Sequence, residues 1–107
     1  YMKIITVNQG TEAYSRDSVT GRKLLSKSEA EAVHMELAPG KSLPVHKTPV
    51  DVFFYVLEGT GEIEIGDERR AVEKDTLIES PKQIPHGLHN TGSEPFRVLV
   101  VKTPKPA

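Results

Sequence analysis

The stretch "DVFFYVLEG", from Asp51 to Gly59, decides the fold, because it joins the most apolar run of the chain to a turn residue. Its three consecutive aromatic residues and its β-branched valines are typical of a strand. A continuous apolar run of this length predicts a strand that is buried on both faces. Gly59 opens the sequence "GTG", which predicts a turn into the next strand.

Further short segments on both sides of this stretch also indicate strands. "AEAVHMEL" (30–37) alternates between apolar and polar residues, as a half-buried strand does. "EIEIGDERRAV" (62–72) predicts a hairpin with a glycine at its turn, and "FRVLVV" (96–101) predicts a closing strand. Many short strands separated by glycine and proline predict an all-β fold, either a sandwich or a barrel.

The composition limits what kind of protein this chain can be. Its 107 residues suit one domain, with the core expected at 30–101 and a loose tail at 102–107. "KIITV" (3–7) is expected to add a strand before the core. No cysteine is present, so thiol chemistry is excluded and any transition metal would have to be bound by histidines and carboxylates.

Charge and hydropathy point away from two classes of partner. The formal net charge of -1 gives no reason to expect a nucleic acid or an anionic membrane as partner. No apolar run approaches the length of a membrane span, and the first residues lack the pattern of a secretory signal. The expected location is therefore the cytoplasm, and the expected partner is a small molecule.

Two segments resemble the two sequence motifs of the cupin superfamily. The first is "PGKSLPVHKTPVDVFFYVLEG" (39–59), and the second is "PKQIPHGLHNTGSEPFRVLVV" (81–101). The resemblance implies the double-stranded β-helix, or jelly-roll barrel, of a small single-domain cupin, and it implies a homodimer. The residues that match the motifs are Gly40, His46, Gly59, Pro81, His86 and Asn90.

The chain departs from these motifs where metal-binding cupins carry their ligands, which are three histidines and one glutamate. Thr48 stands in the place of the second histidine, and Val52 stands in the place of the glutamate. Of the four ligand positions, only His46 and His86 match. Two further departures replace glycines of the second motif, and these are Asp75 and Gln83.

His46 and His86 are therefore the candidate site residues, since the resemblance implies that both face the mouth of the barrel, where such barrels hold a ligand. Together with Thr48 and Asn90 they form the predicted ligand-binding set. His34 and His89 are instead expected to face solvent or an interface, because alternation places each of them on the face opposite to its two neighbours in sequence.

As a metal site, His46 and His86 would hold a divalent ion such as Zn, Mn, Fe or Ni. Two imidazoles are fewer than the three or four protein ligands of most stable sites. Asp51 is a further candidate ligand, but a regular strand directs Asp51 and Val52 to opposite faces, so Asp51 would need an irregular strand start. The alternative is that the two histidines are hydrogen-bonded pocket residues without a metal.

Three classes of function remain open from the sequence. The first is a metal-dependent enzyme of the dioxygenase, isomerase or decarboxylase type, and the second is a metal-free module that binds a small molecule. The third is a metal-free enzyme in which one of the histidines transfers a proton. No catalytic residue is identified from the sequence, since the fold hosts many unrelated activities.

Overall fold

A computed structural model describes residues 1–107 as ten strands and one short 3-10 turn at Val7–Gln9. None of its helical segments has the length and apolarity needed to span a membrane. The strands are β1 (Thr11–Arg16), β2 (Val19–Lys27), β3 (Ala30–Leu37), β4 (Ser42–His46), β5 (Asp51–Glu58), β6 (Thr60–Ile65), β7 (Glu68–Glu73), β8 (Leu77–Ser80), β9 (His86–His89) and β10 (Phe96–Thr103).

The strands form two antiparallel sheets. One sheet has six strands in the order β1-β2-β3-β10-β5-β8, and the other has four in the order β4-β9-β6-β7. The last strand, β10, lies between β3 and β5, so the C-terminal strand is in the middle of the six-stranded sheet. The predicted all-β fold, the double-stranded β-helix or jelly-roll barrel, is thus confirmed.

Strand alternation places a single apolar core between the two sheets. On β5, Val52, Phe54 and Val56 point inward and are at most 3% exposed. Their neighbours Phe53 and Tyr55 point outward and are only half-buried. The prediction that this strand is buried on both faces therefore holds for one face only, because nothing in the chain covers the outer face of the six-stranded sheet completely.

The N-terminal segment differs from its prediction. "KIITV" (3–7) forms no strand, and Met2 and Ile4 remain 82% and 80% exposed. The first strand is β1, which reaches β2 through a turn at Asp17 and Ser18, both with positive φ. Local β-propensity alone does not make a strand when no sheet edge of the chain pairs with it. The homodimer that the resemblance implies stays a prediction.

The sheet also extends beyond the predicted core of residues 30–101. β1 and β2 precede it and complete the six-stranded sheet. At the other end, β10 continues to Thr103, because Lys102 pairs in register with both Glu31 on β3 and Val52 on β5. Lys102 is therefore part of the sheet and not of a loose tail.

Asp75 and Gln83, which stand where the second motif has glycine, both adopt a backbone conformation that favours glycine. Asp75 has φ 65° and Gln83 has φ 66°, both in the left-handed region that favours glycine. Asp tolerates this region better than Gln does, because its short side chain can bond locally. The backbone N–H of Gln83 donates to the carbonyl oxygen of Thr48 at 2.8 Å. The turn at Gln83 therefore also fixes the loop that carries Thr48.

Replacing Gln83 with glycine should therefore stabilise the protein. Removing the left-handed strain is worth about 1 to 2 kcal/mol, and the added freedom of the unfolded chain offsets about half of that. We expect Gln83→Gly to raise the free energy of unfolding by about 0.5 to 1 kcal/mol in urea denaturation. Its neighbour Lys82, which lacks a positive φ, is the control. If Lys82→Gly stabilises the protein equally, the backbone conformation is not the cause.

Candidate functional site

A cavity of about 490 Å³ lies between the two sheets. Its walls come from β1, β2, β3, β5 and β10 of the larger sheet and from β4 and β9 of the smaller one. Most of the lining is apolar, as small-molecule sites usually are. The main apolar contributors are Val33, Met35, Leu43, Phe54 and Val100.

His46 and His86 both line this cavity. Their Cα atoms are paired across β4 and β9, and their ring centroids lie 4.8 Å apart with the rings nearly perpendicular. Phe54 also meets the His86 ring edge-on, with centroids 5.2 Å apart. The two imidazoles and the phenyl ring thus form one continuous aromatic wall.

His86 is a buried histidine with both ring nitrogens engaged. Its Nδ1 lies 2.8 Å from the Ser80 hydroxyl, and its Nε2 lies 3.2 Å from the Thr48 hydroxyl. Burial above all, with the nearby His46 and Lys102 acting in the same direction, lowers the pKa of His86 to about 4. His86 is therefore neutral at pH 7, with one nitrogen donating a hydrogen bond and the other accepting one.

His46 differs from His86 in exposure and in hydrogen bonding. It lies at the exposed end of β4, and its Nδ1 donates to the carbonyl oxygen of Pro44 at 3.2 Å. Its Nε2 has no hydrogen-bond partner in the chain. His46 is thus the imidazole that is available to a molecule entering the cavity.

The other predicted site residues do not line the cavity. Thr48 is buried behind it and binds His86. The Asn90 amide donates to the carbonyl oxygens of Leu37 and Glu94, while its oxygen accepts from the amide of Gly92. Asn90 therefore holds the turn after β9 closed, and its bonding capacity is used there.

Asp51 lies on the outside of the six-stranded sheet. Its carboxylate accepts a hydrogen bond from the backbone amide of Lys82 at 2.9 Å, and it lines a separate surface depression. β5 begins at Asp51 without a bulge, so Val52 points inward and Asp51 points outward, as strand alternation requires.

The donor atoms at this site do not fit a metal centre. No three histidine, cysteine, aspartate or glutamate side chains group together as metal ligands would. Stable sites for zinc or iron normally need three or four protein ligands, and His46 and His86 supply two imidazoles. In addition, both nitrogens of His86 are already bound to hydroxyl groups.

His34 and His89 lie outside the cavity. His34 is buried against expectation, with 3% exposure, and accepts a hydrogen bond from Nε of Arg97. Burial lowers the pKa of His34, and the Arg97 charge lowers it further. His89 is half-buried and is bonded to Glu64 and Ser42.

Four polar residues of the site were not predicted from the sequence. Ser80 binds His86, and alternation along β8 could have placed it on the inward face with Ile78. Glu31 lies two residues before Val33 on the inward face of β3, so the same alternation could have indicated it. The remaining two are Lys23 and Lys102, which line the cavity beside Glu31.

The fold and the site together define a small double-stranded β-helix protein with a ligand-sized cavity in its barrel. The chain belongs to the cupin family, since residues 33–102 match the family model described as a cupin domain. The resemblance found in the sequence is thereby confirmed.

Individual relatives are similar over most of this chain. The tetracenomycin polyketide synthase protein TcmJ of Streptomyces glaucescens is 30% identical over 95 residues, covering 83% of this chain and 64% of its own length. Auxin-binding protein 1 of Arabidopsis thaliana is 29% identical over 103 residues, covering 88% of this chain and 52% of its own length. The chain therefore spans about half to two thirds of the length of these relatives.

Solved structures show the same fold. The crystal structure of TT1209 from Thermus thermophilus superposes with a TM-score of 0.84 and 24% identity, covering 98% of this chain and all of the other. Identity at this level shows a shared fold and does not transfer an activity.

The burial of His86 predicts an acid-sensitive stability. Below pH 6.5 the unfolded chain takes up a proton at this residue, while the folded chain stays neutral until about pH 4. Stability should therefore fall as the pH decreases through this window, by about 3 kcal/mol, since each pKa unit is worth about 1.4 kcal/mol. Urea denaturation between pH 7 and pH 4 measures this loss.

The control for this prediction is His86→Gln, which retains hydrogen-bonding groups but cannot titrate. His34 titrates in both proteins, so its contribution cancels in the comparison. The stability difference between wild type and variant should shrink as the pH falls. A difference that stays constant from pH 7 to pH 4 would contradict the buried, neutral state of His86.

Proposed function

We propose that this protein binds a small, largely apolar molecule in its barrel cavity and does so without a metal. The observation that carries the proposal is the cavity itself, whose volume of about 490 Å³ falls within the range of ligand-binding pockets, about 300 to 1,000 Å³. Apolar side chains of Val33, Met35 and Val100 form one wall of it, and the aromatic wall of His46, His86 and Phe54 forms another.

The two histidines have different roles in this proposal. His46 offers a free Nε2 to a polar group of the ligand at the cavity mouth. His86 is fixed by Ser80 and Thr48, and so it holds the ring of His46 in place through their edge-to-face contact. One imidazole meets the ligand, and the other supports it.

The metal-dependent enzyme that the resemblance also implies receives less support. Thr48 and Val52 occupy two of the four ligand positions, and Asp51 points away from the cavity. Two of the similar proteins are named as a polyketide synthase protein and a polyketide cyclase, the latter RemF from Streptomyces resistomycificus. These names fit a barrel that accommodates an organic molecule, but the reaction of either one does not follow for this chain.

Neutral aromatic amides test the proposal. We expect benzamide and 2-naphthamide to shift the NMR signals of the Val33, Met35 and Val100 methyl groups and of the His46 ring. The dissociation constants should be the same with and without excess EDTA. If neither amide moves the cavity signals, or if the chelator abolishes binding, the proposal is wrong.

Two variants on one strand make this test specific to the cavity. Val100→Phe fills the cavity and should abolish binding, because Val100 points inward. Val101→Phe, one residue further along β10, adds the same bulk to the outer face and should leave binding intact. Equal loss of binding in both variants would show that the amides bind outside the cavity.

A further inference from the structure

Three charged side chains stand on the inward face of the larger sheet, where most other positions are apolar. Lys102 on β10 is paired in register with Glu31 on β3, and Lys23 lies beside them on β2. All three line the cavity. A charged group on a core-facing surface is stable only when it has a partner of opposite charge, so we ask which of these three charges has one.

Two of the three charges neutralise each other. The Lys23 ammonium lies 2.7 Å from a carboxylate oxygen of Glu31, which is 7% exposed. The hydrogen bond from Lys23 lowers the pKa of Glu31, and the charge of Lys102 lowers it further, so Glu31 remains ionised at neutral pH. Lys23 and Glu31 thus form a closed ion pair at the cavity wall.

Lys102 is left without a carboxylate partner, since no acidic group lies within 4.0 Å of its ammonium. Lys102 nevertheless lines the cavity and is only partly exposed. Its positive charge lowers the pKa of both Glu31 and His86. His86 is neutral and adds no charge. The cluster of Lys23, Glu31 and Lys102 therefore presents one uncompensated positive charge to the cavity.

We propose that the ligand carries a single carboxylate, which binds the ammonium group of Lys102 while its apolar body packs against Val33, Val100 and Phe54. This inference rests on the proposed function, because it names the chemical class of the ligand for the same cavity. The carboxylate would balance the positive charge of Lys102, which the Lys23–Glu31 pair leaves uncompensated.

The charge count favours a carboxylate over a phosphate. A phosphate dianion would leave a surplus negative charge close to the buried Glu31 carboxylate. Phosphate sites are also commonly built from arginine side chains or from amides at a helix N-terminus, and neither lines this cavity. One ammonium group that acts as a point charge matches one monoanionic group.

Glu31 sets this specificity by keeping Lys23 occupied. Its carboxylate holds the Lys23 ammonium at 2.7 Å, so only Lys102 is available to the ligand. Replacing Glu31 with glutamine would release Lys23 and give the cavity a second available positive charge. Such a variant should bind carboxylates more tightly and should accept phosphate-bearing molecules better than the wild type does.

The matched ligands 2-naphthoate and 2-naphthamide test the inference, because they share a shape and differ in charge. We expect the wild type to bind the carboxylate roughly tenfold more tightly, since a charged hydrogen bond is stronger than a neutral one. Lys102→Met should abolish this preference, and Lys102→Arg should retain it. Lys74→Met changes the net charge equally at an exposed turn that does not line the cavity, and it should also retain the preference.

Each outcome of this titration separates the two proposals. If the amide binds but the carboxylate binds no more tightly, or if the preference survives in Lys102→Met, the inference is overturned and binding in the barrel stands. If neither ligand binds, the proposed function fails, and the inference fails with it. If Lys102→Met does not fold, Glu31→Gln decides, because unchanged naphthoate affinity in that variant would overturn the role of the charge cluster.

Discussion

The pairing of β10 with β3 on one side and β5 on the other is the constraint on which the structure depends. β10 is the last strand of the chain, yet it lies in the middle of the six-stranded sheet, between two strands from the first 58 residues. Because side chains alternate along it, Phe96, Val98 and Val100 enter the core, and Lys102 enters the cavity. The same register that closes the core therefore also places a positive charge at the cavity.

Thr48 stands at a position where metal-binding cupins have a ligand, and here its side chain forms a hydrogen bond with His86. Where metal-binding members of the family have a histidine, this chain has a hydroxyl group that bonds Nε2 of His86. That bond, together with the one from Ser80, satisfies a buried imidazole that would otherwise carry an unpaired polar atom. The ring nitrogens of His86 are thus both satisfied within the chain, while Nε2 of His46 is left open to the cavity.

Much of the fold and part of the site could be predicted from the sequence, for identifiable reasons. The apolar run after Asp51 and the spacing of glycines and prolines specified the strands and turns, because those signals are local. The positions of His46 and His86 followed from the motif spacing. Asn90 matched the motif equally well, yet its amide is used to close a turn, and only the three-dimensional contacts could show that.

Other features depend on which strands and side chains far apart in the sequence come together in the fold, and local sequence patterns do not contain that information. "KIITV" has the composition of a strand but pairs with no strand of either sheet. Lys102 sits in a polar tail sequence, yet two long-range pairings hold it in the sheet. The cavity charge could not be counted from the sequence, because Lys23 and Glu31 are brought together only when β2 and β3 pair.

The central claim is that an intact cupin barrel has exchanged its metal ligands for a hydrogen-bonded site, and rebuilding those ligands tests it most directly. The measurement is calorimetric titration of Zn²⁺ or Mn²⁺ into the double variant Thr48→His with Val52→Glu, beside the wild type. A second double variant, Thr48→Asn with Val52→Gln, controls for the added bulk. The account predicts one tightly bound ion only in the first variant, with affinity roughly a hundredfold or more above the wild type. A wild type that already binds one equivalent as tightly, or a folded first variant that binds none, would contradict it.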